Sequence, residues 1–519
     1  MQLHDILAQV PGARLDQGDP ATSVTGIGHD SRGIRPGDLF VAMPGSQHDA
    51  RHFVPQAIER GAVAVLAEST VDAPSECAVV LVPSARAALA DAAAALHGQP
   101  SRKLRLVGVT GTDGKTSTTR LLAAILEQAG RRVGWLTTVD VNVGGRLRPN
   151  DLHHTTPEAD RVQEVLAEMV AAGVEVAILE TSSHALSLDR VRNCAFDLAI
   201  FTNLSAEHLN FHGTLADYRL AKARLFEMLG EPSHKPWPRA GVVNADDAAS
   251  DTMRAHSPVR VLSYGIDAPA DVMAREVHVD GSGAAFALES GTLDSGGVAV
   301  HVRTPLLGRF NVSNWLAAAT AAFELGATPD DVVAAAATLA PVTGRMERIE
   351  RGQPFLVVVD FAHTPQALEN ALRALRSHTS GRLTTVFGHA GERDPASRPA
   401  MGRVAAELSD FFVISMDDPL HEDPAEIARA IAAGATPTGK TEGRDFAIDL
   451  DRASAIRALL GRARAGDTVL LAGKGHERRM VVGHERRPWN DREEAEAALA
   501  ELGFDSDNSA ARGGRLAAG

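Results

Sequence analysis

Cysteine is nearly missing from this chain of 519 residues: Cys77 and Cys194 are the only two. That excludes a disulfide framework. Their separation fits no metal-ligand spacing either, and so few thiols favour a reducing compartment. No uninterrupted apolar run reaches the roughly 18 residues needed to cross a bilayer. The opening segment "MQLHDILAQVPG" carries Asp5 and lacks a basic start ahead of an apolar core, so it does not read as a secretory leader. Long basic runs are missing as well, and the net charge of −14 makes nucleic acid or an anionic membrane a poor partner. The expectation is a cytoplasmic protein that binds no nucleic acid and inserts into no membrane.

What is present is the composition of a globular protein, with 44% apolar and 23% charged residues. The length exceeds one ordinary domain and suits about three. Short apolar runs recur: "AVAVLAE" near the start, then "LRLVGVT", "RVGWLTTV", "VEVAILET", "FDLAIFTN", "AGVVNADD" and "RVLSYG". Helical or loop stretches separate them, and such alternation predicts a mostly parallel sheet flanked by helices. From residue 347 a second series begins with "FLVVVDFAH" and continues through "LTTVFGHAG", "FFVISMDDP" and "DTVLLAGKG". Polar "GQPSRKL", with Pro100, reads as a linker. The expected fold is α/β in three domains, 1–101, 102–346 and 347–505, with a small polar tail at 506–519 that should be disordered.

Residues 106–117, "LVGVTGTDGKTS", resemble a phosphate loop with one glycine displaced. The pattern G-x-x-x-x-G-K-[ST] asks for glycine where Val109 stands, and the glycines fall instead at Gly108 and Gly111. What phosphate chemistry needs is nevertheless kept. Backbone N–H groups of Gly111, Thr112, Asp113 and Gly114 can wrap an anion, and Lys115 can reach the β and γ phosphates. The Thr116 hydroxyl, with Ser117 beside it, can ligate magnesium at a helix N-terminus. A strand should precede the loop. A helix should follow it, with Leu121, Leu122, Ile125 and Leu126 on one face and Gly130 as its stop. The bland alternative is a glycine turn whose lysine is merely solvated.

Glu180 ends the run "VAILE", where nucleotide-binding sheets place catalytic groups, and could ligate magnesium. It could equally be a solvated carboxylate. His208, in "NLSAEHLNFHGT", follows "LAIFTN" and taken alone would be structural. Lys222, in "DYRLAKARLF", falls on a predicted helix and would ordinarily face water.

Taken together, these motifs resemble the Mur ligases, the ATP-dependent enzymes that extend the peptidoglycan stem peptide, and most closely their MurE branch, which adds the third residue. The likeness runs through residues 25–495. "DSRGIRPGDLFVAMPG" is similar to the family's uridine-nucleotide segment, with Ser31 at the substrate-contacting position. "HTTPE" and "ETSSHALSLDR" place Thr155, Thr156, Ser182 and Arg190 where the family binds the muramoyl dipeptide. The resemblance makes Glu180 and His208 magnesium ligands and Lys222 the lysine that is carbamylated. "GRFNVSN" supplies Asn311 and Asn314 on the adenine side, "GRMERI" supplies Arg345, and "VVDFAHTPQAL" supplies Asp360 and His363. "GERD" and "GKGHE" supply Arg393, Gly473 and Glu477 for the incoming amino acid. The implied architecture is a uridine-nucleotide domain, a central P-loop ATPase and a Rossmann-like amino-acid domain, working as a monomer with ATP and Mg²⁺.

Several positions depart from the family pattern. Thr343 stands where a proline is usual and Phe361 where a tyrosine is. The "DNPR" of diaminopimelate-adding enzymes reads "DDPL", Asp417, Asp418, Pro419 and Leu420. Leucine offers no donor for a distal carboxylate, whereas two aspartates suit a distal ammonium, so L-lysine or L-ornithine is expected on UDP-MurNAc-L-Ala-D-Glu. Diaminopimelate stays possible if His421 replaces the arginine. Two further alternatives are a folylpolyglutamate synthase-like ligase and a non-catalytic nucleotide-binding relative.

Overall fold

A computed structural model describes residues 1–44, 50–150, 154–291, 298–340 and 342–504; the tail expected at 506–519 lies outside the described residues. Strand Arg105–Thr110 is central to the largest sheet. Its neighbours are Leu198–Phe201 and Val176–Glu180, both parallel to it, and the parallel run extends to Val133–Leu136 on one side and through Ala240–Asn244 and Val261–Gly265 to Val272–Asp280 on the other. The three central strands are buried on both faces, which is why they read as unbroken apolar runs rather than alternating ones. Antiparallel strands close both edges: Asp140–Val143 and Arg146–Pro149 at one, Gly283–Ser290 and Val298–Thr304 at the other. Those edge strands are not among the apolar runs legible in the sequence.

A smaller sheet precedes it. Strands Gly26–Gly28, Asp38–Val41, Ala64–Ala67 and Ala78–Leu81 are parallel, and Arg14–Gln17 joins antiparallel. The third sheet contains Leu356–Asp360, Thr468–Ala472, Leu383–Phe387, Phe411–Ile414 and Phe446–Ile448 in parallel, with Glu347–Arg348 antiparallel at one edge. A separate hairpin, Arg479–Val482 with Glu485–Pro488, stands beside it.

The segment expected as a polar linker is partly buried. Pro100–Arg102 forms one 3₁₀ turn. The Ser101 hydroxyl donates to the Asn193 carbonyl at 3.0 Å and accepts from the Ala195 amide at 3.1 Å. Polarity there serves hydrogen bonds that hold the first unit against the second. No helix among the described residues is long and apolar enough to cross a membrane.

Candidate active site

The phosphate loop joins strand Arg105–Thr110 to helix Lys115–Gln128. Gly114 has φ +83°, and a Cβ there would lie 2.3 Å from the Asn314 Oδ1. A Cβ on Gly111 would lie 1.8 Å from the Thr202 hydroxyl. Both glycines are therefore demanded by the loop. Gly108 has another reason to be glycine: on the strand itself, its Cβ would meet Leu225 at 2.7 Å and Phe196 at 2.9 Å. The displaced glycine serves packing and leaves the phosphate cradle to residues 111–114. Lys115 Nζ donates to the carbonyls of Gly111 at 3.1 Å and Thr112 at 2.7 Å, folding back over the loop.

The loop opens into a cavity of about 440 Å³ that reaches from Thr116, Glu180 and Lys222 to Arg345, Arg393 and Glu477. Thr116 donates its hydroxyl proton to Glu180 at 3.0 Å, and Glu180 also accepts from the Thr138 amide at 2.8 Å. Two hard oxygens converge here beside the phosphate loop, the donor type that magnesium takes. His208 sits in the left-handed region, φ +57°, with its Nε2 3.5 Å from Glu207. Burial, reinforced by His184, Arg393 and Lys115 and opposed by Glu207, brings it down to about 3, so its imidazole is neutral and able to ligate.

Lys222 is on helix Leu215–Glu227, as expected, yet it is 1% exposed. Its Nζ lies 2.7 Å from the Gly111 carbonyl and 4.2 Å from the centre of the Tyr218 ring. Burial first, and then the neighbouring Lys115, hold the amine well below the ordinary lysine range. The surface position that is ordinary for a helical lysine is thus replaced by a buried, weakly basic amine against the phosphate loop.

Arg345 reaches across from the third sheet's leading segment to the Thr116 hydroxyl, 3.3 Å away, and its guanidinium lies over the Phe361 ring at 4.6 Å. His363 lines the cavity 3.4 Å from Glu207. Asp360 accepts from the Met346 amide at 2.7 Å, and burial raises its carboxyl to about 6. Asn314 donates to Asn311 at 3.1 Å, and Asn311 to the Leu307 carbonyl at 2.8 Å, a buried ladder standing behind Gly114. Ser117, Thr155, Ser182 and Arg190 line the cavity. Thr156 lies just beneath, donating to the Glu180 carbonyl at 2.7 Å. Ser31 stands apart in the first sheet's unit, its hydroxyl donating to Gln56 at 2.7 Å.

On the amino-acid side Arg393 and Glu477 line the cavity, whereas Asp417, Asp418, Pro419, Leu420 and Gly473 do not. Both aspartates already have a cationic partner within the chain. Lys474 Nζ stands 2.7 Å from Asp418 and 3.7 Å from Asp417, and also pairs with Glu477. Leu420, at φ +52°, donates its amide to the Val481 carbonyl at 3.3 Å and accepts from the Gly483 amide at 2.6 Å, so it anchors the hairpin. Lys474 and Glu207 are the residues the sequence reading missed. The signal for each was its neighbour: an acid directly before His208, and a lysine inside "GKGHE".

Comparison with known proteins agrees with this geometry. The Mur ligase middle domain matches residues 109–322, the Mur ligase glutamate ligase domain 344–475, and the Mur ligase family catalytic domain 23–97. The chain is 45% identical to the UDP-N-acetylmuramyl-tripeptide synthetase of Roseiflexus sp. (strain RS-1), over 97% of this chain and 100% of that one. It is 39% identical to the UDP-N-acetylmuramoyl-L-alanyl-D-glutamate–2,6-diaminopimelate ligase of Geobacillus thermodenitrificans (strain NG80-2), over 96% and 100%. A solved ligase of that second kind superposes with a TM-score of 0.66 at 32% identity, covering 97% of this chain and 99% of the other. A phosphate loop, a buried lysine and three matched domains in order lead to one conclusion: the chain belongs to the Mur ligase family.

Proposed function

We propose that this Mur ligase joins a diamino acid, L-lysine or L-ornithine, to the D-glutamyl carboxylate of UDP-MurNAc-L-Ala-D-Glu, hydrolysing ATP to ADP and phosphate. The observation that carries the reading is the single cavity that holds the phosphate loop and Lys222 on one side and Arg393 and Glu477 on the other. Nucleotide and amine nucleophile can meet there. A carboxylate oxygen of the substrate attacks the γ-phosphorus, ADP leaves, and an acyl phosphate results. The incoming amine attacks the acyl carbon, loses a proton, and phosphate departs from the tetrahedral intermediate. Lys115 and Arg345 offset the charge on the transferring phosphoryl group. Thr155, Thr156, Ser182 and Arg190 hold the dipeptide, and the first domain, through Ser31, holds the uridine nucleotide.

Lys222 acts in this reading as a carbamate. A neutral amine adds to the carbon of CO₂ and releases a proton, and burial, then the charge of Lys115, disfavour the protonated form of that amine. Thr116, Glu180, His208 and the carbamate would hold magnesium, which supplies Lewis-acid neutralisation of phosphoryl charge. Asn311, Asn314, Asp360 and His363 set the nucleotide's other end.

The preference for a diamino acid without a distal carboxylate rests on Leu420, which has no side-chain donor and whose backbone is committed to the hairpin. A second reading, meso-diaminopimelate, is favoured by His421, whose Nδ1 lies 2.7 Å from Glu392 at the cavity wall. A panel of amino acids assayed for phosphate release with UDP-MurNAc-L-Ala-D-Glu and ATP decides between them. Lysine or ornithine should show the highest kcat/KM; diaminopimelate ahead of both would overturn the preference.

A further inference from the structure

The motif "HTTPE" ends in Glu158, an acid at the N-cap of helix Ala159–Ala171 that makes no side-chain capping bond there. Arginines take its carboxylate instead. Arg190 Nε donates to Oε1 at 2.9 Å, Nη2 lies 2.6 Å from the same oxygen, and Nη1 donates to the Thr156 carbonyl at 3.1 Å. Thr156 is itself pinned, because its hydroxyl donates to the Glu180 carbonyl at 2.7 Å. The second carboxylate oxygen, Oε2, lies 3.5 Å from Nη1 of Arg86, which belongs to helix Ala85–Leu96 of the first unit. His29 of that unit meets Asp160, two residues beyond Glu158, at 2.9 Å. Glu158 thus joins two guanidinium groups across the boundary between the units.

A guanidinium offers one N–H on Nε and two on each terminal nitrogen. The contacts of Arg190 use one on each nitrogen, so one remains on Nη1 and one on Nη2. Charge is left over as well, because two cations share one anion. Arg190 lines the cavity, whereas Glu158 and Arg86 do not, so the surplus charge meets the cavity only through Arg190. We propose that Glu158 is a positioning residue for the dipeptide: it fixes the plane of Arg190, while Arg86 offsets enough of the Glu158 charge to leave Arg190 cationic towards the substrate. The proposal rests on the function proposed above, in which Arg190 holds the dipeptide, and adds the groups that aim it. A D-glutamyl residue has two carboxylates, and ligation consumes one. The other stays anionic and suits a fixed pair of guanidinium N–H donors. Docking of the first unit then does more than hold the uridine nucleotide: it completes the charge that reads the dipeptide.

The test is calorimetric titration of the full-length enzyme, without ATP or magnesium. Its two ligands are UDP-MurNAc-L-Ala-D-Glu and the D-isoglutamine analogue, in which the carboxylate that takes no part in ligation is an amide. The wild type should bind the first more tightly. Glu158→Gln should weaken that ligand by roughly ten- to a hundredfold, the range for losing a hydrogen bond to a charged group, and the analogue far less. Arg86→Met should weaken it by about two- to fivefold, the size for a partly exposed pair, with the effect shrinking at high salt. The ATP Kd, measured separately, should hold in both variants. A purely structural role would lower both ligands together and leave their ratio unchanged, which overturns the proposal. Tighter binding by Glu158→Gln overturns it too, because the acid would then only neutralise Arg190. If Glu158→Gln does not fold, the ratio in Arg86→Met carries the test, and a wild-type ratio there overturns the coupling. Failure of the wild type to bind UDP-MurNAc-L-Ala-D-Glu at all overturns the proposed function instead.

Discussion

Two glycines six residues apart in the same motif are glycine for different reasons, and substitution separates them. Gly114→Ala forces a Cβ into Asn314 at a positive φ, so it should weaken ATP binding, measured by calorimetric titration, by tenfold or more. Gly108→Ala presses instead on Leu225 and Phe196. It should cost about 1–3 kcal/mol of stability by overpacking while the ATP Kd stays close to wild type. If Gly108→Ala weakens ATP binding as strongly as Gly114→Ala, the division of labour is wrong. Lys222 yields a second test at this scale. Lys222→Ala should lower kcat by about two to three orders of magnitude, the loss typical when a preorganised charge is removed. A short carboxylic acid in the buffer should partly restore it. Full activity without rescue would remove the carbamate from the mechanism.

Helix Leu215–Glu227 shows why an element must be read as a whole. Its buried residues are Tyr218, Ala221, Lys222, Ala223, Leu225 and Phe226, and the 218, 221/222, 225/226 spacing is a core-facing stripe with a lysine inside it. Read alone, Lys222 is a surface residue; read in that stripe, it points inward. The parallel strands were legible because they are doubly buried and therefore continuously apolar. The antiparallel edge strands, such as Arg146–Pro149 with its mostly exposed residues, mix polar and apolar residues and left no such trace. In the third unit, Arg452 and Asp491 form a pair with both side chains fully buried, linking helices Arg452–Arg462 and Asp491–Glu501. Arg452→Met strands the Asp491 carboxylate and should destabilise by about 3–5 kcal/mol in denaturant unfolding. A loss below about 1 kcal/mol would show that the pair does not hold those helices.

Across the whole molecule, charged contacts set the units against one another. His29, from the first, lies 2.9 Å from Asp160 of the second, and Glu158 receives both Arg86 at 3.5 Å and Arg190. Burial opposes a charge on His29, but the hydrogen bond and charge of Asp160, helped by Glu158 and Asp30, more than offset it and raise its pKa above 6.5. A histidine raised in the folded state stabilises fully below its ordinary value and loses that contribution as pH climbs through the folded one. The Tm difference between wild type and His29→Gln should accordingly be largest near pH 6 and fade towards pH 8.5. Its size should be about 1 kcal/mol or less for a partly exposed pair. A difference that grows with pH would contradict the assignment. On the opposite side, Glu207 faces both His208 and His363, so a residue of the central unit touches the third one inside the cavity.

Local order determined much of this protein. The phosphate loop, the parallel strands, the helix after Gly114 and the succession of motifs are properties of neighbouring residues, because periodicity and turn chemistry act over a few positions. The chemical state and the partners of the site residues are not local. Lys222 becomes a weak base only when Gly111, Tyr218 and Lys115 close around it. Asp417 and Asp418 look available in "DDPL", but a lysine more than fifty residues later fills the space between them. Charge pairing and desolvation depend on distances in space, and only the packed chain fixes those.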